Sequence, residues 1–295
     1  MKLYKTIFIA LFALPIMMMA QEQKDSIAAV KEDSVMAPAK SELERAAFES
    51  TSLIESQTNR VYSKGTIEMI MNHRFGLVNG TNDMIGIWAP SNIRIAVNYS
   101  ISDHITVGIG TTKDSRLIDY SLKAALLRQT VDGKIPVSIT YYGNVVASAL
   151  PKANFYHTSD RYSFFNQLII AKRFTKSFSL QIAPSISHYN TIKAPLKNDL
   201  FAIEFGGRVK IASDICLLLD VNNPITSTSQ ANAHKPGFSV GTEFSTVGHT
   251  FQIFISNYRG IINQQSNMYN QNNFFGNSLS SGPEFAVGFN IYRTW

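Results

Sequence analysis

The sequence predicts an all-β chain folded as a closed antiparallel transmembrane β-barrel of about twelve strands, and three observations carry that expectation. Segments of period-two alternation follow one another from about Arg60 to Trp295, each with one nearly all-apolar face. The polar links between them alternate short and long, the connectivity of a barrel with clipped turns at one rim and loops at the other. The face opposite the apolar one carries charge at mid-strand in Arg94, Lys123, Glu204, Arg208, Lys210, Asp220 and Glu243. A soluble barrel would alternate too, but it would turn its apolar face inward, and twelve strands enclose more space than such a core fills. A polar, charged inner face suits a wet or salt-bridged lumen instead.

Met1 to Ala20 reads as a signal peptide, with Lys2 and Lys5 ahead of the apolar stretch Thr6 to Met19. That stretch, interrupted by Pro15, is too short to cross a ~30 Å hydrocarbon core, which needs roughly twenty residues. Beyond Ala20 the longest apolar run is Ile215 to Leu219, so a bilayer can be crossed only by strands. Residues 21–59 form a leader. Gln21 to Ala47 lacks periodicity and is expected to be flexible and periplasmic, with a short helix over Ser41 to Ala47; Phe48 to Asn59 is expected at the inner rim or folded into the lumen.

Residues 60–295 make the barrel. Ile93, Ile95, Val97, Tyr99 and Ile101 share a face against Arg94, Ala96, Asn98 and Ser100. Phe201, Ile203, Phe205 and Val209 oppose Ala202, Glu204, Gly206 and Arg208, and Val287, Phe289 and Ile291 oppose Gly288, Asn290 and Tyr292. Short links are expected at Ser102–Asp103, Val131–Lys134, Thr175–Ser177, Ala212–Ser213 and Val247–Gly248, each holding a turn-forming Ser, Asp or Gly. Long links run over about 76–91, 112–116, 148–161, 190–199, 223–235 and 259–283. The last contains the Asn/Gln run Asn263 to Asn273, read as a mobile outer loop with the option of folding inward as a constriction. Phe289, Ile291 and the terminal Trp295 give the last strand the form of a membrane-insertion signal.

Net charge is +6, and removal of Lys2 and Lys5 leaves 25 basic against 21 acidic residues, a net +4 without a basic stripe, so nucleic acid is not an expected partner. One cysteine, Cys216, allows no internal disulfide. Six scattered histidines hold no ligand spacing, so neither metal nor other cofactor is expected. A lipid-acting hydrolase would need a Ser and a His on the outer wall; His73 and His188 share the lipid-facing parity, but no serine in a strained setting accompanies them.

The strings Gly110-Thr111-Thr112-Lys113-Asp114, Leu127-Arg128-Gln129-Thr130, Pro136 to Val145, Gln167 to Ala171 and Phe251 to Phe254, with Phe48-Glu49-Ser50 and Gln57-Thr58 ahead of the first strand, resemble a domain-of-unknown-function family described as a membrane-bound β-barrel. The resemblance covers about Phe48 to Trp295. It implies an outer-membrane barrel and carries over no activity and no catalytic residue.

The sequence thus leads to a non-enzymatic barrel of the outer membrane of a Gram-negative-type bacterium. Its expected partners are outer-membrane lipid, the barrel-insertion machinery and a periplasmic protein. Two roles stand side by side: a passive small-solute channel lined by the seven charges, and a closed barrel that serves as a binding or scaffold protein. Gly108, Gly110, Gly206, Gly241 and Gly288 on the inner face favour an open lumen.

Overall fold

The computed structural model describes residues 41–78, 84–225, 234–276 and 283–295; the expected signal and the leader up to Lys40 lie outside them. Twelve strands form one closed sheet: β1 (Ile67–Leu77), β2 (Asn92–Ser102), β3 (Ile105–Thr112), β4 (Leu117–Leu127), β5 (Ser138–Ser148), β6 (Tyr162–Arg173), β7 (Phe178–Tyr189), β8 (Asp199–Lys210), β9 (Ile215–Ile225), β10 (Gly237–Thr246), β11 (His249–Ser256) and β12 (Ala286–Thr294). Each pairs antiparallel with its sequence neighbours, and β12 closes on β1 in the register Met69↔Arg293 and His73↔Phe289. Closure leaves no strand edge unpaired.

Alternation sorts the side chains as the pattern requires. Ile95, Val97, Val107, Ile109, Leu217, Leu219 and Ile253 lie exposed on the outside, while their neighbours Ala96, Thr106, Cys216, Leu218 and Gln252 are buried. A girdle of exposed aliphatic side chains around the whole wall requires an apolar surrounding medium. Strands of 8 to 12 residues match the length a tilted strand needs to cross a bilayer.

The interior departs from a uniformly hydrophilic lumen. One sector, on β5, β6 and β9, turns Tyr142, Phe165, Ile169 and Leu218 inward, and Phe254 joins them from β11. Phe48, Leu53 and Ile54 of the leader complete that apolar cluster.

Three expectations are corrected. Ser41 to Ala47 is not a helix: Leu43 bridges Thr130, Glu44 N donates to Gln129 O at 2.8 Å, and Val131 N donates to Glu42 O at 2.9 Å. The leader is therefore an extended addition to the β4–β5 link, which is longer than Val131–Lys134 because β4 ends at Leu127. Residues 263–273 are not a mobile outer loop throughout: Asn263–Tyr269 is a helix, α1, with Met268 fully buried. The inward glycines do not leave the lumen empty. A Cβ on Gly206 would collide with Leu53 Cδ1, and one on Gly241 or Gly288 would strike Phe254, so these glycines make room for what fills the barrel.

Candidate functional site: a filled lumen

The candidate site is the lumen, and residues 48–59 cross it as a re-entrant strap. The strap enters at the short-turn rim beside the β4–β5 link, turns where Leu53 N donates to Ser56 O and Thr58 N donates to Thr51 O, and returns to β1. Backbone groups that would be orphaned in this excursion find partners on the wall, as buried polar groups must. Glu55 N and Ser56 N both donate to Asp220 Oδ2 at 2.8 Å, and Ser56 Oγ donates to Asp220 Oδ1 at 2.6 Å. Lys123 Nζ donates to Thr51 O at 2.6 Å, and Asn290 Nδ2 and Arg74 Nη2 both reach Ile54 O.

Charges fix both ends of the strap. At its tip Glu55 meets Arg74 of β1 at 2.9 Å, and the Arg74 guanidinium also lies 4.3 Å from the Phe254 ring centre. Near the short-turn rim Glu49 holds Arg45 at 2.7 Å and Arg208 at 3.2 Å. Between them Ser50 Oγ donates to Glu243 Oε2, Thr51 Oγ1 to Glu68, and Ser52 Oγ sits 2.7 Å from the Tyr292 hydroxyl.

Helix α1 lies buried inside the barrel toward the other end, against β6, β7 and β8. It has no side-chain N-cap, and a seven-residue run rich in Asn and Gln has little intrinsic helicity, so its wall contacts hold it. Gln264 Nε2 donates to Asn144 Oδ1 at 2.9 Å, Asn267 bonds to Ser187 and Asn222, and Asn263 Nδ2 donates to Glu55 O at 3.1 Å, joining helix to strap. Burial pushes the His234 imidazole beside Met268 O below its usual range and the Tyr258 hydroxyl well above its own.

Six of the seven charges named from sequence sit inside the barrel. Arg94 grips Asp119 through two hydrogen bonds of 3.0 and 2.6 Å; Lys123, Arg208, Asp220 and Glu243 hold the strap. Glu204 accepts from Gln167 and Asn222. Lys210 stands apart, exposed in a cavity at the short-turn rim. Sequence reasoning missed Arg74, Glu68 and Glu55. The first two share the inward parity of β1 and were legible there; Glu55 lies in a stretch without period.

Filling is uneven. The strap leans on the apolar sector, and a polar cavity of about 40 Å³ survives against the β1–β5 wall, bounded by Asn72, Arg94, Asn98, Asp119, Ser121 and Lys123. That is room for a few waters.

A family model described as "Membrane bound beta barrel domain (DUF5777)" matches residues 48–295. The chain belongs to this family. The match begins at Phe48, so the strap is part of the membrane-bound barrel domain and not a foreign leader. No curated protein matches the chain. Among solved structures, that of the NanC porin is 9% identical, with 77% of this chain and 98% of that chain covered and a TM-score of 0.50. The outer membrane channel DcaP of Acinetobacter baumannii is 11% identical over 77% of this chain and 72% of its own, with a TM-score of 0.33. The NanC porin likeness bears on the barrel fold alone.

The two outer-wall histidines have aromatic and polar neighbours. His73 lies flat on Phe289, ring centres 4.9 Å apart, and His188 puts Nδ1 at 2.7 Å from Asp199 and Nε2 at 3.2 Å from Asn190, with Phe164 opposite it on β6.

Proposed function

We propose that this protein is a small-solute channel of the outer membrane that rests closed, with strap 48–59 and helix α1 as its gate. The long-loop rim then faces outward and the short-turn rim, where residues 42–44 pair with the β4–β5 link, faces the periplasm. Lipid surrounds the barrel, and Phe289, Ile291 and Trp295, on the outward face and at the end of β12, present the insertion signal to the assembly machinery. The observation that carries the reading is the chemistry of the β1–β5 wall: a track of Asn72, Arg94, Asn98, Asp119, Ser121 and Lys123 runs beside a residual polar cavity. Such a wall is stable when wet, so displacement of the gate exposes groups that water and solute ions satisfy.

The apolar docking of Phe48, Leu53 and Ile54 favours a second reading, a permanently closed barrel that serves as a binding scaffold. Planar-bilayer recording separates the two. The channel gives stepwise currents, infrequent in the native chain and frequent when Glu55→Gln loosens the strap, and Lys123→Glu shifts selectivity toward cations. Silence from well-inserted native and Glu55→Gln protein overturns the channel and leaves the scaffold.

A further inference from the structure

A cavity of about 460 Å³ opens at the short-turn rim, below the strap and apart from the residual lumen cavity. Arg45, Arg60, Arg208 and Lys210 line it, against the carboxylates of Glu49 and Asp214. Glu49 is already shared between Arg45 and Arg208, and Arg208 lies 3.6 Å from Glu243 as well. Arg60 and Lys210 have no salt-bridge partner among the described residues. The Arg60 guanidinium carbon lies 4.8 Å from the Tyr62 ring centre, and its Nε is buried without a hydrogen-bond partner. The hydroxyls of Ser245, Thr250 and Thr294 are among the groups that also line it.

We propose that this vestibule is a binding site for a small soluble anion of phosphate type, held between the Arg60 guanidinium and the Lys210 ammonium. A planar guanidinium offers paired donors to two phosphate oxygens, an ammonium adds a point charge, and hydroxyls supply the remaining donors. The volume admits an organic phosphate as well as the inorganic ion. Phosphate could also come from a phospholipid headgroup, but Arg208, Thr250, Tyr292 and Thr294 face inward from β8, β11 and β12, so the cavity opens to the barrel axis and not to lipid. Asp214 at the rim repels anions, so the attraction has to come from Arg60 and Lys210. The site does not depend on whether the lumen conducts.

Isothermal titration of the full chain in detergent with inorganic pyrophosphate tests it. Saturable binding is expected, weakened roughly tenfold, the loss of about one charge-assisted contact, by Arg60→Gln and by Lys210→Gln, while Arg116→Gln at the opposite rim leaves it unchanged. Glycerol phosphate should compete, and phosphatidylglycerol micelles should not. Absence of binding to the folded native barrel, native affinity retained in both the Arg60→Gln and the Lys210→Gln proteins, or displacement by the lipid alone each overturns the proposal.

Discussion

Arg74 Nε donates to Glu55 Oε1 at 2.9 Å across the boundary between wall and strap, with side chains only 1% and 6% exposed. Removing one member of a buried pair strands the other charge, at a cost of about 3–5 kcal/mol, whereas replacing both by apolar residues of similar volume is close to neutral. Glu55→Gln or Arg74→Gln alone should therefore release the strap, seen as new trypsin cleavage at Arg60. The double change Glu55→Met with Arg74→Met should restore much of the protection. Equal resistance in single and double variants would show that the ion pair does not hold the strap.

Gly206 is the second anchor, through space and not charge. A side chain there would occupy the position of Leu53 Cδ1, so Gly206→Val should dislodge the strap tip while the β7–β8 and β8–β9 ladders remain. Leu53→Ala should cost strap docking about 2–5 kcal/mol by cavity formation. Combined with Gly206→Val it should cost less than the sum, because the new methyls fill the vacated volume. Strict additivity in a hydrogen-exchange measurement of residues 48–59 would contradict the packing.

The wall was legible in the sequence, whereas its filling was legible only as an option for Phe48 to Asn59 and for the Asn/Gln run and not in its contacts, for a physical reason. A strand facing lipid on one side and the lumen on the other must alternate, so Ile93 to Ile101 or Phe201 to Val209 announce themselves locally. The strap obeys no local rule: Ser50 bonds to Glu243 and Ser56 to Asp220, partners more than 160 residues away. Helix α1 likewise has no side-chain cap and poor propensity, and partners distant in sequence, among them Asn144, Ser163, Ser187 and Asn222, hold it. The inward glycines misled because a missing side chain marks either a void or a guest, and here Leu53 and Phe254 are the guests.

Acidity should act first where the leader joins the rim. Ser41 Oγ donates to Asp132 Oδ2 at 2.7 Å, and hydrogen bonds from the Thr130 and Ser41 hydroxyls and from Lys134 N hold the Asp132 carboxyl well below its usual range. A carboxyl lowered in the docked state contributes stability that is present above its free value, about 3.9, and lost as pH falls through the docked one. The Ser41–Leu43 attachment should thus stay intact at neutral pH and weaken below about pH 4, with Asp132→Asn abolishing that dependence. Amide exchange at Val131 and Glu44, whose N–H groups bond across this junction, reads it directly. Exchange independent of pH after correction for intrinsic rates would sink the assignment.

The two halves of the gate are separable, because α1 touches the strap through one side-chain hydrogen bond, Asn263 to Glu55 O, but touches the wall through several. Every wall strand keeps both ladder neighbours without α1, so replacing residues 263–269 by a Gly/Ser linker of equal length should leave the barrel folded, with its heat-modifiable gel mobility unchanged. It unseals only the long-loop end, since Thr51, Glu55 and Lys123 still close the centre. Conductance in the linker protein should therefore remain low. Adding Glu55→Gln should raise it far beyond either change alone, since two barriers in series limit current until both are removed. A linker protein that conducts fully on its own would make α1 the sole gate and the strap a fixed part of the wall.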